Sequence, residues 1–195
     1  MKSTTRFAPL LVAVALVLGT ATAYADDGQA GPVFDASGPQ GQAWVSVNLA
    51  RHRTGDAYIP LLVAVYNRAG QPVTLDQTSF QLVGADHKAL TMPSLQALRE
   101  DYPKQSFDDK MVRVLGFNGV PFGTRLDERH LVPSSFFPSV SSGVVRYDTV
   151  ELPNLYWTAD VLYFPVPAGF AEGRNATLKI QGAGWEAPLE VTIHM

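Results

Sequence analysis

The run Asp127-Glu128-Arg129-His130 places two carboxylates and an imidazole within four consecutive positions. General acid–base catalysis uses these side chains, which hold and release protons once their surroundings tune them. Adjacent residues on a loop seldom face one substrate, however, so a solvated charged turn accounts for the same run. Asp108-Asp109 offers oxygen ligands but lacks the alternating carboxylates of a calcium loop, and it too reads as a solvated turn. His52, His87, His130 and His194 show no metal-motif spacing; solvated loop histidines are the expectation, although distant residues can converge on a metal. His194-Met195, Met92 and Met111 supply soft donors of the kind copper takes, but no clustered Met/His run accompanies them, so core methionines are the simpler account. Ser134-Ser135 and Ser141-Ser142 lack the Gly-x-Ser-x-Gly elbow of a serine hydrolase. There is no phosphate loop or dinucleotide fingerprint. No cofactor or metal is expected, and a non-enzymatic role is preferred over an envelope hydrolase built on Asp127, Glu128 and His130.

A second chemistry is apolar recognition. Phe107, Phe117, Phe122, Phe136, Phe137, Tyr147, Tyr156 and Trp157 gather in a stretch rich in Gly, Pro and Ser. Aromatic rings give large contact area at small entropic cost. Phe136 and Phe137, inside Pro133-Ser134-Ser135-Phe136-Phe137-Pro138, are expected as an exposed contact ridge stiffened by its flanking prolines. Phe122, Tyr156 and Trp157 are the further candidate binding residues. Neighbours in an extended segment point to opposite sides, so one ring could face outward while the other anchors the loop. The competing account has these rings covering one end of the core.

The elements that must carry these residues read mostly as β. Trp44 to Leu49 puts Val45, Val47 and Leu49 on one strand face. Tyr58 to Tyr66 is apolar on both faces, as a covered central strand should be, with Pro60 marking an edge or bulge at its start. Asn67 to Pro72 is a turn, Val73 to Leu75 and Ser79 to Val83 are short strands, and Gly84 to His87 turns again before Ala89-Leu90. Leu95, Leu98 and Tyr102, bracketed by Pro93 and Pro103, predict a short helix. Weak strand signals follow at Met111 to Leu115 and Val144 to Tyr147. Trp157 to Val166, Ala176 to Gln181 and the alternation Leu189/Val191/Ile193 complete the pattern. Short strands at this spacing predict an antiparallel sandwich.

Lys2 and Arg6, the apolar run Leu10 to Leu18 and Ala23-Tyr24-Ala25 form an export signal, predicting a mature chain that begins near Asp26. That run is shorter than the roughly 20 apolar residues of a membrane span, and no later segment competes, so no transmembrane span is expected in the mature chain. The resulting organisation is a signal peptide at 1–25, a flexible leader at 26–41 pinned at Val33-Phe34, and a β-sandwich domain at 42–195 with an insertion at about 91–156. Loss of Lys2 and Arg6 takes the net charge from −3 to −5, which offers no basic surplus for nucleic acid. With no cysteine there is no lipid attachment, disulfide or thiolate chemistry, and packing alone must hold the domain. The sequon Asn175-Ala176-Thr177 matters only in a eukaryotic host.

Three segments resemble the telokin-like, immunoglobulin-type β-sandwich domains of exported bacterial proteins, the immunoprotective secreted antigen-like group. They are VAVYNRAGQPVTL within Tyr58–Leu75, SFQLVGADHKAL at Ser79–Leu90, and VLYFPVP at Val161–Pro167 followed by Ala176–Ile180. The resemblance covers about half of the mature chain and skips 91–156. It implies an immunoglobulin-like sandwich fold and an exported binding or interaction role toward an envelope protein or ligand, and it carries no catalytic residues. Together with the residue pattern and the export signal, the expectation is an all-β, antiparallel immunoglobulin-like β-sandwich with one short helix and a long irregular insertion, periplasmic or secreted.

Overall fold

The computed structural model describes residues 33–53, 55–84, 86–115, 128–139, 143, 145–166 and 175–194. The export signal and Phe122 lie outside these residues. The chain is mainly antiparallel β. One sheet has the order β1-β2-β3-β8, from Val33–Gly38, Gly41–Ser46, Tyr58–Asn67 and Trp157–Pro165. A second has the order β10-β9-β5-β6, from Leu189–His194, Asn175–Ile180, Phe80–Val83 and Ala89–Thr91. A two-stranded ribbon joins β4 (Val73–Asp76) to β7 (Thr149–Leu152). The helices are α1 (Asn48–Arg51), α2 (Leu95–Asp101) and α3 (Gln105–Leu115).

Period-two burial explains the sheets. In β10, Leu189, Val191 and Ile193 are buried while Glu190 and Thr192 face water. β9 buries Ala176, Leu178 and Ile180 in the same rhythm. β3 is different: nearly every side chain is buried, because β2 and β8 flank it and α1 packs against it. β2 reaches only as far as Leu62, so Pro60, which has no N–H to give, pairs with Tyr163 on one side alone. β10 runs close to β1 and β2, and β6 approaches β8, so one core fills the space between the sheets.

Several boundaries differ from the sequence reading. Val33–Gly38, read as flexible leader, forms β1 with full antiparallel register against β2. Leu49 is buried but belongs to α1, because the strand ends at Ser46. Met111 to Leu115 lies in α3 rather than in a strand. On that helix's inner face Gln105, Asp108 and Val112, spaced i, i+3, i+7, are buried while Phe107 is largely exposed. The apolar residues themselves keep helical spacing, with Phe107, Met111, Val114 and Leu115 at i, i+4, i+7 and i+8, and the Val112/Val114 alternation that suggested a strand is only the end of that pattern. Thr149–Leu152 is a strand inside the segment read as irregular, and 145–147 are not strand. α2 is as expected, with Ser94 Oγ accepting the Ala97 N–H (3.1 Å), Leu98 and Tyr102 buried, and Pro103 following. Among the described residues no helix is long and apolar enough to cross a membrane.

Candidate functional site

The segment Pro133–Ser139 runs along the free edge of β8 and then between the two sheets. Leu131 forms a parallel bridge with Trp157, Val132 N–H donates to the Trp157 carbonyl (2.8 Å), and Ser134 Oγ donates to the Ala159 carbonyl (2.8 Å). Phe136 N–H donates to Asp160 Oδ2 at 2.7 Å. The Phe136, Phe137 and Pro138 carbonyls accept from Gln77 Nε2 (3.4 Å), Gln105 Nε2 (2.6 Å) and an Arg99 guanidinium nitrogen (3.1 Å). Ser139 N–H donates to Asp109 Oδ2 (3.2 Å). An irregular backbone can be buried only when its polar groups find such partners.

The expected exposed ridge is therefore corrected. Phe136 and Phe137 are 1% and 3% exposed. They do point to opposite sides, and both sides are protein. Phe136 meets Phe80 of the second sheet edge-on (6.0 Å), and Phe137 meets Tyr163 of the first (5.6 Å). Trp157 is buried at the start of β8. Tyr156 is half-buried, with its ring edge-on to His130 at 5.0 Å.

The acid–base run is not seen as a site. Asp127 lies outside the described residues, Glu128 opens a short 3-10 turn to His130, and the His130 ring packs on Tyr156. His194 Nδ1 lies 2.8 Å from Asn175 Oδ1, and Met92 and Met111 pack against the core; Met195 is outside the described residues. Among the described residues, no group of three or more His, Asp or Glu side chains could hold a metal ion.

Asp108, read as a solvated turn residue, is instead the buried centre of a cluster. Its Oδ1 accepts from Arg53 Nε (3.0 Å) and from a terminal guanidinium nitrogen (2.5 Å), and its Oδ2 accepts from the Tyr102 hydroxyl (2.7 Å). Arg53 Nε also reaches the Tyr102 oxygen (3.2 Å), and its guanidinium lies 5.0 Å over the Phe107 ring. Burial pushes the Asp108 carboxyl above the ordinary range against the pull of Tyr102 and Arg53. Burial by itself would lower Arg53, yet Asp108 and Tyr102 raise it overall. Burial and then Asp108 drive the Tyr102 phenol far upward. Both Asp108 oxygens are occupied by protein donors, so the cluster acts as a clamp between α3, the α2 terminus and the turn before β3. Residues 55 apart in sequence meet here, and no local spacing announces it.

One exposed feature stands out on the same edge. Leu155 is 52% exposed with φ of +66°, a left-handed backbone that β-carbon crowding disfavours. It is held there by Leu155 N–H to the Asn67 carbonyl (2.8 Å), Asn67 N–H to the Tyr156 carbonyl (2.9 Å) and Tyr156 N–H to the Pro153 carbonyl (3.1 Å). Asn67, itself buried, fixes the facing turn by donating to the Gln71 and Leu152 carbonyls (2.8 and 2.9 Å). Leu131, Val145 and Tyr147 are also exposed, the last joined to the Pro133–Ser139 segment by Tyr147 N–H to the Ser135 carbonyl (3.0 Å).

No protein-family model, curated protein or solved structure matches this chain.

Proposed function

We propose that this chain is an exported, immunoglobulin-like β-sandwich domain of the telokin-like type that binds an envelope protein or ligand without catalysis. The observation that carries the reading is Leu155. A leucine held in the left-handed region costs about 1–2 kcal/mol where Asn or Gly would sit more easily. Strain of this kind clusters at functional positions. The strained residue exposes an apolar side chain one position before Tyr156, whose ring meets His130, and two before Trp157, which bridges to the exposed Leu131. Leu131 and Tyr147, tied to β8 through Trp157 and through the Ser135 segment, are exposed as well, and we read them with Leu155 as the apolar contact residues of this edge.

The test is photo-crosslinking in the native host, with a crosslinking side chain at Tyr147 and a control at Thr192 on the exposed face of β10. A discrete adduct from Tyr147 alone, lost in Leu155→Asn without loss of thermal stability, supports the reading. Equal labelling from Thr192, or an adduct indifferent to Leu155→Asn, overturns it. Export is tested separately by terminal sequencing of the mature protein. A start within a few residues of Asp26 supports it, and an intact Met1 overturns it.

A further inference from the structure

The outer edge of β7 lies open between Tyr147 and Leu155. On β4, Thr74 N–H donates to the Ala183 carbonyl (3.3 Å) and the Thr74 carbonyl accepts from Ala183 N–H (2.9 Å), so Thr74 turns its backbone away from β7. Antiparallel partners alternate between pairs that exchange hydrogen bonds and pairs that do not. Thr74 with Glu151 and Asp76 with Thr149 are therefore the unbonded pairs, and Thr149 and Glu151 aim their N–H and C=O groups outward. Both residues are exposed, β7 pairs with β4 alone, and among the described residues no partner meets those groups. The other outer strands are blunted. Residues 131–134 line the β8 edge at Trp157 and Ala159, and β1 and β10 lie against each other. β6 is three residues long, with Pro93 close behind it.

The surroundings of this edge say what it fits. Tyr147 and Leu155 stand exposed just before and just after β7, and Tyr147 N–H already takes the Ser135 carbonyl, so backbone docks at the entry to the edge. The Glu151 carboxylate is exposed, and among the described residues no cation pairs with it. The neighbouring acids are spent: Asp76 accepts from Thr78 and Ser79 N–H, and Asp148 is matched by Arg146. We propose that the partner met by Tyr147 and Leu155 is an extended peptide segment that adds to β7 as a strand, bonding Thr149 and Glu151 and setting a lysine or arginine opposite Glu151. This rests on the contact reading above and deepens it.

Main-chain bonds at a sheet edge hold extended peptides in general, and side chains at alternate positions select among them. In an added strand the residue opposite Glu151 has its β-carbon about 5 Å away, within reach of an ion pair. Its two neighbours fall on the face of Val150, which is buried, so apolar side chains suit them. The segment that fits therefore alternates, with a cation on the Glu151 face and apolar residues on either side of it.

Thr149→Pro removes an outward N–H at the first position of the strand, where proline is tolerated, and leaves the ladder to β4 untouched. In crosslinking from Tyr147 in the native host, Thr149→Pro should lose the adduct and Thr149→Ala should keep it, with both melts as in wild type. An adduct that survives Thr149→Pro overturns the strand addition and leaves the contact reading standing. The second probe is a capped Thr-Val-Lys-Val-Thr peptide, titrated into the unmodified full chain and followed by amide NMR. Saturable shifts are expected at Thr149 and Glu151 and not on β10. Binding should weaken about fivefold when Glu replaces the peptide's Lys, and Glu151→Lys should reverse that preference. Methylating the Lys backbone nitrogen should abolish binding, whereas methylating a Val nitrogen, which faces away, should not. No shift at Thr149 and Glu151, equal affinity for the Lys and Glu peptides, or indifference to which nitrogen is methylated would each overturn the proposal.

Discussion

Replacing Arg53 with methionine keeps much of the aliphatic stem and removes the guanidinium that faces Asp108. The Asp108 side chain is fully buried and that of Arg53 only 10% exposed, so water cannot substitute for the lost cation without rearrangement. Truncating one partner of a buried pair costs about 3–5 kcal/mol. The lower end applies here, because the Tyr102 hydroxyl still donates to Asp108 and the carboxyl already leans toward protonation. A loss of about 3 kcal/mol corresponds to a drop in Tm of about 6–12 °C for a domain of this size. Urea unfolding followed by tryptophan fluorescence gives the number. The sign with pH follows from the raised Asp108 carboxyl: the unfolded group ionises near 3.8, the folded one later, so the variant's stability falls as pH rises through that window and recovers in acid. Adding Asp108→Asn, which retains an acceptor for Tyr102, should restore part of the loss. A double variant whose loss equals the sum of the two singles, or an Arg53→Met loss below about 1 kcal/mol, would show that the ion pair is not a clamp.

Gly41→Ala should be strongly destabilising, since a β-carbon there would stand 2.2 Å from the Tyr66 carbonyl oxygen across the β2–β3 ladder; a thermal melt unchanged from wild type would contradict that backbone approach. Phe136→Ser combined with Phe137→Ser should remove the cooperative unfolding transition seen by circular dichroism, because each lost core phenylalanine costs about 3–5 kcal/mol against a total of about 5–15. Retention of a wild-type melt would restore the exposed-ridge reading. Ile193→Ala should lower stability by about 2–5 kcal/mol in denaturant titration, and an unchanged midpoint would misassign the last strand.

What could be read from the chain was what local periodicity records. The alternation of Leu189, Val191 and Ile193 and the two-sided apolar run at β3 announced their own environments, and the Asn67–Pro72 turn followed from residue types that favour turns. β1 escaped because Asp35, Ser37 and Gly38 make it compositionally loop-like; backbone pairing with β2, not side-chain burial, makes it a strand. α3 was legible in the i, i+4, i+7, i+8 spacing of Phe107, Met111, Val114 and Leu115, and escaped because Met111 to Leu115 taken alone alternates like a strand. What was not legible is the burial of Gln105 and Asp108, since their hydrogen-bond partners come from distant segments. The aromatic candidates illustrate the same limit. Composition shows that rings are concentrated near Phe136, but only the fold decides whether such rings meet solvent or, as here, two sheets. The strain at Leu155 has no composition signature, since Gly or Asn would flag a left-handed turn position and this one carries Leu.

The pairing of β3 with β8 has a consequence for the order in which the chain matures. Tyr58 pairs with Pro165 and Tyr66 with Trp157, so partners in the central ladder are on the order of a hundred residues apart. A nascent chain that has produced only its first half therefore presents β3, the most apolar strand, with one flank open. Closure waits for the last third of synthesis, which makes folding slow and leaves a window in which a holding chaperone has an obvious grip.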